Sequence, residues 1–296
     1  MLDRESTFAD PAIIKLLQTQ FIPVAIDQAY QRRQQDAEGE YYRQIASQGP
    51  RHDFKNGTTQ GLYVATADGR FLAYTNNRGP DRVKQTLEKA LAQFKPVKTA
   101  AIDKGKLDER WHPQPPPGGL IVRVRAKVLD GYEATDDQWR QIFQSSLSRD
   151  NLWISKSEHQ DLVNGKVADS LARRIAKYHL IDNTRGEPPM WNDDEVRSVN
   201  LQLKDGKLTG QVHLETKSGD RGYDAQLFGV VETTDGQVTR FDVVAKGDFW
   251  GEGTYTRGAP KGKFPLGISF TLADGSDTAD QIPPQASRGW LRGYIQ

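Results

Sequence analysis

The chain has 296 residues, of which 36% are hydrophobic, 27% charged and 9% aromatic, with no cysteine. That is length and apolar content for two domains, and the lack of Cys excludes disulfides, thiolate metal sites and a Cys nucleophile. Basic and acidic side chains nearly cancel, 40 against 39, and no apolar run approaches the ~20 residues of a membrane helix, which argues against nucleic-acid binding through a basic face and against membrane insertion.

Neither half of the chain is strongly charged: residues 1–95 carry 13 basic and 11 acidic side chains, the remainder 27 and 28. The opening MLDRESTFAD has no apolar signal core, so the chain as written reads as cytoplasmic, and as periplasmic or secreted if a leader precedes it. Asp10-Pro11 starts a helix, a capping carboxylate before a proline at the first helical position. Ile13, Ile14, Leu17 and Phe21 follow on one face. Residues 21–26, FIPVAI, form a short continuous apolar run that predicts a strand buried on both faces. A polar helix is expected around 34–47, with Ala37, Tyr41 and Ile45 inward. Strands at 62–66 and 70–74 flank Asp68-Gly69, which predicts a type I′ hairpin turn. Pro80 and Asp81 open a helix whose Val83, Leu87, Ala90, Leu91 and Phe94 keep the 3.6 period.

Residues 96–119 hold Pro113, Pro115, Pro116, Pro117, Gly118 and Gly119 and read as a Pro-rich linker, with Trp111 available to pin it to a domain surface. Beyond it, 120–128 reads as a strand and 136–147 and 167–179 as helices, the second with Ala168, Leu171, Ala172, Ile175 and Tyr178 inward. From Val196 the period changes to two. Val199/Leu201/Leu203, Leu208/Val212/Leu214, Ala225/Leu227/Val231, Phe241/Val243/Ala245 and Ile268/Phe270/Leu272 alternate with polar residues, punctuated by Asp205-Gly206, Ser218-Gly219 and Asp235-Gly236. This predicts an antiparallel meander with one buried face, curled toward a barrel. The fold class expected is α+β in two domains, 1–95 and 120–296.

The stretch RESTFADPAIIKLL at 4–17, followed by FIPVAID at 21–27, resembles the thioredoxin-fold proteins that carry a CxxC, a short gap, ESF-x-D, a helix and F-V-x-V-x-D. Gly61-Leu-Tyr-Val, Asp68-Gly-Arg and the helix from Pro80 match that family's hairpin and last helix. The resemblance covers about a third of the chain and does not reach 120–296. It implies a thioredoxin-like first domain, and it also marks what differs. The family's redox pair and its preceding central strand would lie upstream of Met1, and the cis-proline neighbourhood reads NGTTQG at 56–61. Thiol–disulfide exchange needs a thiolate, which this chain lacks. The expectation is that the strand and a Cys-x-x-Cys or selenocysteine motif precede Met1, or that 120–128 supplies the strand.

Among candidate site residues, the segment 179–191 is the richest: His179, Asp182, Arg185 and Trp191 stand in one turn-rich loop after a helix, where sites often sit. Its alternative is structural: His179 at a helix C-terminus, Arg185 paired with Glu187, and Trp191 covering the core edge. Asp27, Tyr30 and Arg32 follow the expected 21–26 strand, with helix capping by Asp27 as the plainer role. Asn76 to Pro80 reads as a binding segment or as a turn into a helix. Phe249 to Tyr255 reads as a ligand approach or a bulged strand. His52, His112, His159 and His213 are scattered, without metal spacing. No nucleotide-binding or hydrolase motif occurs, so neither a metal nor another cofactor is expected. The function expected is that of a non-catalytic thioredoxin-like binding or scaffold protein with a protein or small-molecule ligand. The alternatives are a thiol oxidoreductase with an upstream motif, and a small-molecule binding module in the second domain.

Overall fold

The computed structural model describes residues 6–55, 57–99, 103, 105–288 and 291–295. Met1, Arg4 and Glu5 of the thioredoxin-like stretch, and Asn56, lie outside the described residues. The chain is mixed α and β and divides into two units, Asp3–Gln114 and Pro115–Gln296, each with its own core.

In the first unit, Asp10 accepts hydrogen bonds from the amides of Ala12 (2.8 Å) and Ile13 (3.0 Å), so helix α1 (Pro11–Gln20) starts where the Asp-Pro signal puts it. After the one-turn helix α2 (Gln28–Gln31) and helix α3 (Ala37–Ser47), strands β1 (Leu62–Ala65) and β2 (Phe71–Thr75) form an antiparallel hairpin, followed by helix α4 (Pro80–Gln93). Helices cover both hairpin faces. Val64 and Ala73 pack with Ile13, Val83, Leu87 and Ala90, while Tyr63 and Tyr74 stack edge-on at 4.8 Å on the other face, with Tyr42 of α3 beside Tyr63.

Four expectations need correction here. Residues 21–26 are not a strand: they run without a ladder partner, and Ile22 and Val24 are 91% and 75% exposed. β1 and β2 pair only with each other, so nothing lies alongside to take the ladder bonds, and Pro23 has no N–H to offer one. Helix α3 begins at Ala37 under an Asp36 cap, and its buried residues are Gly39, Tyr42 and Ala46 instead of Ala37, Tyr41 and Ile45. The 66–70 turn is not type I′. Gly69 has φ +83 but Asp68 is not left-handed; the Gly69 amide donates to the Thr66 carbonyl at 2.9 Å, the tighter turn followed by a left-handed glycine. Phe94, expected inward, is 47% exposed because α4 ends at Gln93. The linker's Asp108 accepts from the Gln35 amide, and its own amide donates to Asp36. Trp111 lies between the Arg33 and Arg110 guanidiniums, each 5.1 Å from its ring.

The second unit is a curled, seven-stranded antiparallel sheet, a half-barrel. Its strands are β3 (Leu120–Val128), β4 (Asp150–Ile154), β5 (Val196–Lys204), β6 (Lys207–Glu215), β7 (Gly222–Thr234), β8 (Gln237–Trp250) and β9 (Lys263–Leu272), in the order β4-β3-β9-β8-β7-β6-β5. Strands β5 to β9 fall where the period-two pattern places them. Asp205-Gly206 and Asp235-Gly236 make type I′ turns with φ +51/+73 and +51/+72. Strand β3 is paired on both sides, to β4 and to β9, so it is not the spare strand for residues 21–26. Leu162 of helix α6 (Lys156–Val163), Leu171 of helix α7 (Asp169–Arg174), then Ile175, Ala176 and Trp191 fill the inner face against Tyr223, Phe241, Phe264 and Phe270. The expected helix at 136–147 is the shorter α5 (Gln138–Ser145), capped by Asp137. The expected helix at 167–179 splits into α7 and a π turn over Ile175–His179, whose signature is the Leu180 amide bonded to the Ile175 carbonyl at 3.0 Å. Helix α8 (Leu291–Ile295) closes the chain.

Candidate functional site

The four residues singled out in the 179–191 loop are all buried, and their polar side-chain atoms other than His179 Nδ1 are hydrogen-bonded internally. The π turn swings His179 into the core, where Nε2 lies 2.6 Å from the Tyr294 hydroxyl and Nδ1 lies 3.4 Å from Asp150 Oδ2. Asp182 accepts from the Thr184 amide (3.1 Å) and hydroxyl (2.6 Å), and pairs with Arg185. Arg185 also donates to the Tyr132 hydroxyl (2.7 Å) and the Thr256 carbonyl (3.1 Å). The Trp191 indole donates to the Leu180 carbonyl at 2.9 Å, and Arg221 stacks 4.1 Å from its ring. Arg185 does not pair with Glu187, which bonds Arg288 instead. Helicity ends at His179, so His179 and Asp182 do not share a helix face, and among the described residues no group of three metal-capable side chains forms.

The other nominated segments are structural joints. Asp27 caps α2 through the Ala29 amide (2.8 Å), and Arg32 donates to the Gly57 carbonyl. Gly79 accepts α4's start with φ +118 while its amide donates to Thr7 (2.9 Å). After Trp250, Gly251 has φ +82, and a Cβ there would stand 2.3 Å from the Asp220 carbonyl; the close approach is to neighbouring backbone.

A depression of about 500 Å³ lies elsewhere, on the solvent face of β5, β6 and β7. Register builds it. Gln202 stands opposite Thr209, and Thr209 opposite Phe228; Asn200 stands opposite Gln211, and Gln211 opposite Gln226. Two adjacent cross-strand rows thus point outward while Leu208, Val212, Ala225 and Leu227 point into the core. Gly210 keeps β5 close: a Cβ there would meet the Asn200 carbonyl at 2.3 Å and Leu201 Cδ2 at 2.4 Å. The side-chain amides of Asn200, Gln202, Gln211 and Gln226 form no hydrogen bond with any described residue, and Phe228 beside them is 51% exposed. The patch is uncharged within a chain that is 27% charged. Each amide offers two donors and an acceptor, so the arrangement can bind a neutral polar ligand.

The next row along the same strands carries ionisable groups. His213 Nδ1 lies 2.5 Å from Asp224 Oδ1, Lys263 reaches Asp224 Oδ2 at 3.3 Å and sits 4.3 Å from the Trp250 ring, and His213 Nε2 faces Glu215 at 3.8 Å. Partial burial pushes the Asp224 carboxyl up, but hydrogen bonds from His213 and Lys263 outweigh it and hold the carboxyl below its usual range. The row thus borders the amide patch with a fixed imidazole–carboxylate pair.

Sequence reasoning missed this face because its members are scattered singly over three strands and look like ordinary solvent-side residues. The readable signal was a set of uncharged residues at alternate positions, Asn200 and Gln202, Thr209 and Gln211, Gln226 and Phe228, which only strand register brings together. No family model, curated protein or solved structure matches the chain. Among the described residues, no helix is long and apolar enough to cross a membrane.

Proposed function

We propose that the protein is a non-catalytic binding protein whose second unit holds a small polar ligand on the outer face of β5–β7, joined to a first unit of thioredoxin-like type. The observation that carries this reading is the set of four unpartnered side-chain amides around an uncharged depression on a rigid sheet. A sheet fixes the backbone positions from which such side chains extend, which favours recognition. The hairpin covered by helices on both faces, with α4 as the closing helix, supports the thioredoxin-like reading of the first unit. The absence of cysteine from the sequence fits a binding role for it.

The test is thermal stabilisation of the full chain by a panel of small neutral polar compounds, run in parallel on the double variant Gln211→Ala/Gln226→Ala. Stabilisation present in the parent and lost in the variant is the expected result. A panel that stabilises neither, or both equally, removes the outer sheet face as the binding site.

A further inference from the structure

We infer that the ligand held by the β5–β7 face is a neutral saccharide, presented as one or two sugar rings; this rests on the ligand-binding reading above and adds its chemistry. Three features select the class. First, the donors and acceptors are all carboxamides and one hydroxyl, from Asn200, Gln202, Gln211, Gln226 and Thr209. A sugar hydroxyl both donates and accepts, and neighbouring hydroxyls match the two-pronged carboxamide, which likewise does both. Second, no ionised side chain stands in the two rows across β5, β6 and β7; the nearest charges are Lys204 and Lys207, paired in the row beyond Gln202 and Thr209, and Lys246 opposite Gln226 on β8. A phosphate or carboxylate ligand would find no cation within the two rows themselves to offset its lost hydration. Third, Phe228 offers an exposed ring beside the amides, an apolar face for the C–H side of a pyranose.

Size agrees. Three strands about 4.8 Å apart and two rows about 7 Å apart along them give a platform of roughly 10 by 7 Å, one or two rings across. The depression over this platform measures about 500 Å³, in the range of small-ligand sites. Val244 extends the Phe228 row onto β8, so the apolar side of the platform continues past the depression.

The experiment is titration of the isotopically labelled full chain with cellohexaose, xylohexaose, laminarihexaose, maltohexaose and chitohexaose, following the side-chain NH₂ resonances of Asn200, Gln202, Gln211 and Gln226. Tetra-alanine and inorganic phosphate serve as comparison probes. The expected result is that at least one oligosaccharide moves these four resonances together. Phe228→Ala and Gln226→Ala should each weaken that binding about tenfold, the factor corresponding to one lost contact of ordinary size. Both positions face solvent, so both variants should keep the parent's backbone spectrum. Oligosaccharide binding that leaves the four resonances still, or that survives both substitutions, overturns the inference. If the peptide or phosphate moves the resonances and no sugar does, the saccharide class is wrong while the binding face stands. If no probe moves them, both readings fall together.

Discussion

His179 Nδ1 and Asp150 Oδ2 face each other 3.4 Å apart inside the second core, yet without hydrogen-bond geometry to each other or to any described residue. The other imidazole nitrogen holds the pair in place through the Tyr294 hydroxyl at 2.6 Å. Burial, then the nearby Asp150 carboxylate, raises the phenol of Tyr294 well above its usual range, so the hydroxyl keeps its proton. Tyr294→Phe would leave His179 Nε2 unsatisfied as well, at a cost of ~1–3 kcal/mol. The urea midpoint of the second unit's transition should fall accordingly, and an unchanged midpoint would show that α8 does not anchor this cluster.

Glu158 is the second buried test. Its carboxylate closes the α6 capping box with Ser155 and also accepts from Ser170 (2.6 Å) and Arg174 (2.6 Å). Burial alone would raise its pKa, but the bonds from Arg174 and Ser170 outweigh it and the value is lowered. A carboxyl depressed in the fold contributes stability that is complete above its unfolded pKa and lost as pH falls through the folded one. Glu158→Gln should therefore cost ~3–5 kcal/mol near neutrality, where Arg174 is left buried without its counter-charge. The gap between parent and variant should start to narrow as pH falls below the unfolded value of ~4.3 and close through the lower folded one, where the parent's carboxyl also becomes neutral. Denaturation at a series of pH values measures this; a gap independent of pH would contradict it.

Gly69→Val probes the first hairpin. The left-handed φ of +83 is strained for a β-branched residue, and a Cβ would also press on Gln44 at 2.7 Å. The Gln44 side chain can move aside, so the backbone sets the cost, ~1–3 kcal/mol. It should appear as a lower melting transition for the first unit with the second unit's transition unmoved.

Because the two units have separate cores, residues 115–296 should fold without the rest. Well-dispersed amide resonances from that fragment are the expected outcome. A collapsed spectrum would mean that the two cores depend on each other.

What could be read before the structure depended on how local its cause was. Asp10-Pro11 and the alternation in β5 to β9 carry their own physics, a cap and a two-sided sheet, and both appear where expected. Residues 21–26 have the composition of a buried strand, but a strand also needs a neighbour, and composition cannot report whether one is present. His179 stood out as a polar group in a loop; its burial comes from the π turn and from Asp150 and Tyr294, 29 and 115 positions away. The amide face was illegible for the same reason, since Gln202, Thr209 and Phe228 become neighbours only through the register of three strands.

The sheet order also dictates when the second unit can close. Strand β3 pairs with β9 so that Val122 meets Leu272, 150 positions later, while β5 to β8 zip through short turns as each emerges. At a synthesis rate of ~5–20 residues per second, β3 waits roughly 8–30 s for that partner. Until β9 is made, nothing joins the β3–β4 pair to the β5–β8 meander, and any edge of either that has formed lies open. β9 joins them in a single late step, which makes this last strand the point where a ribosomal pause or a premature stop would turn a folding intermediate into an aggregating one.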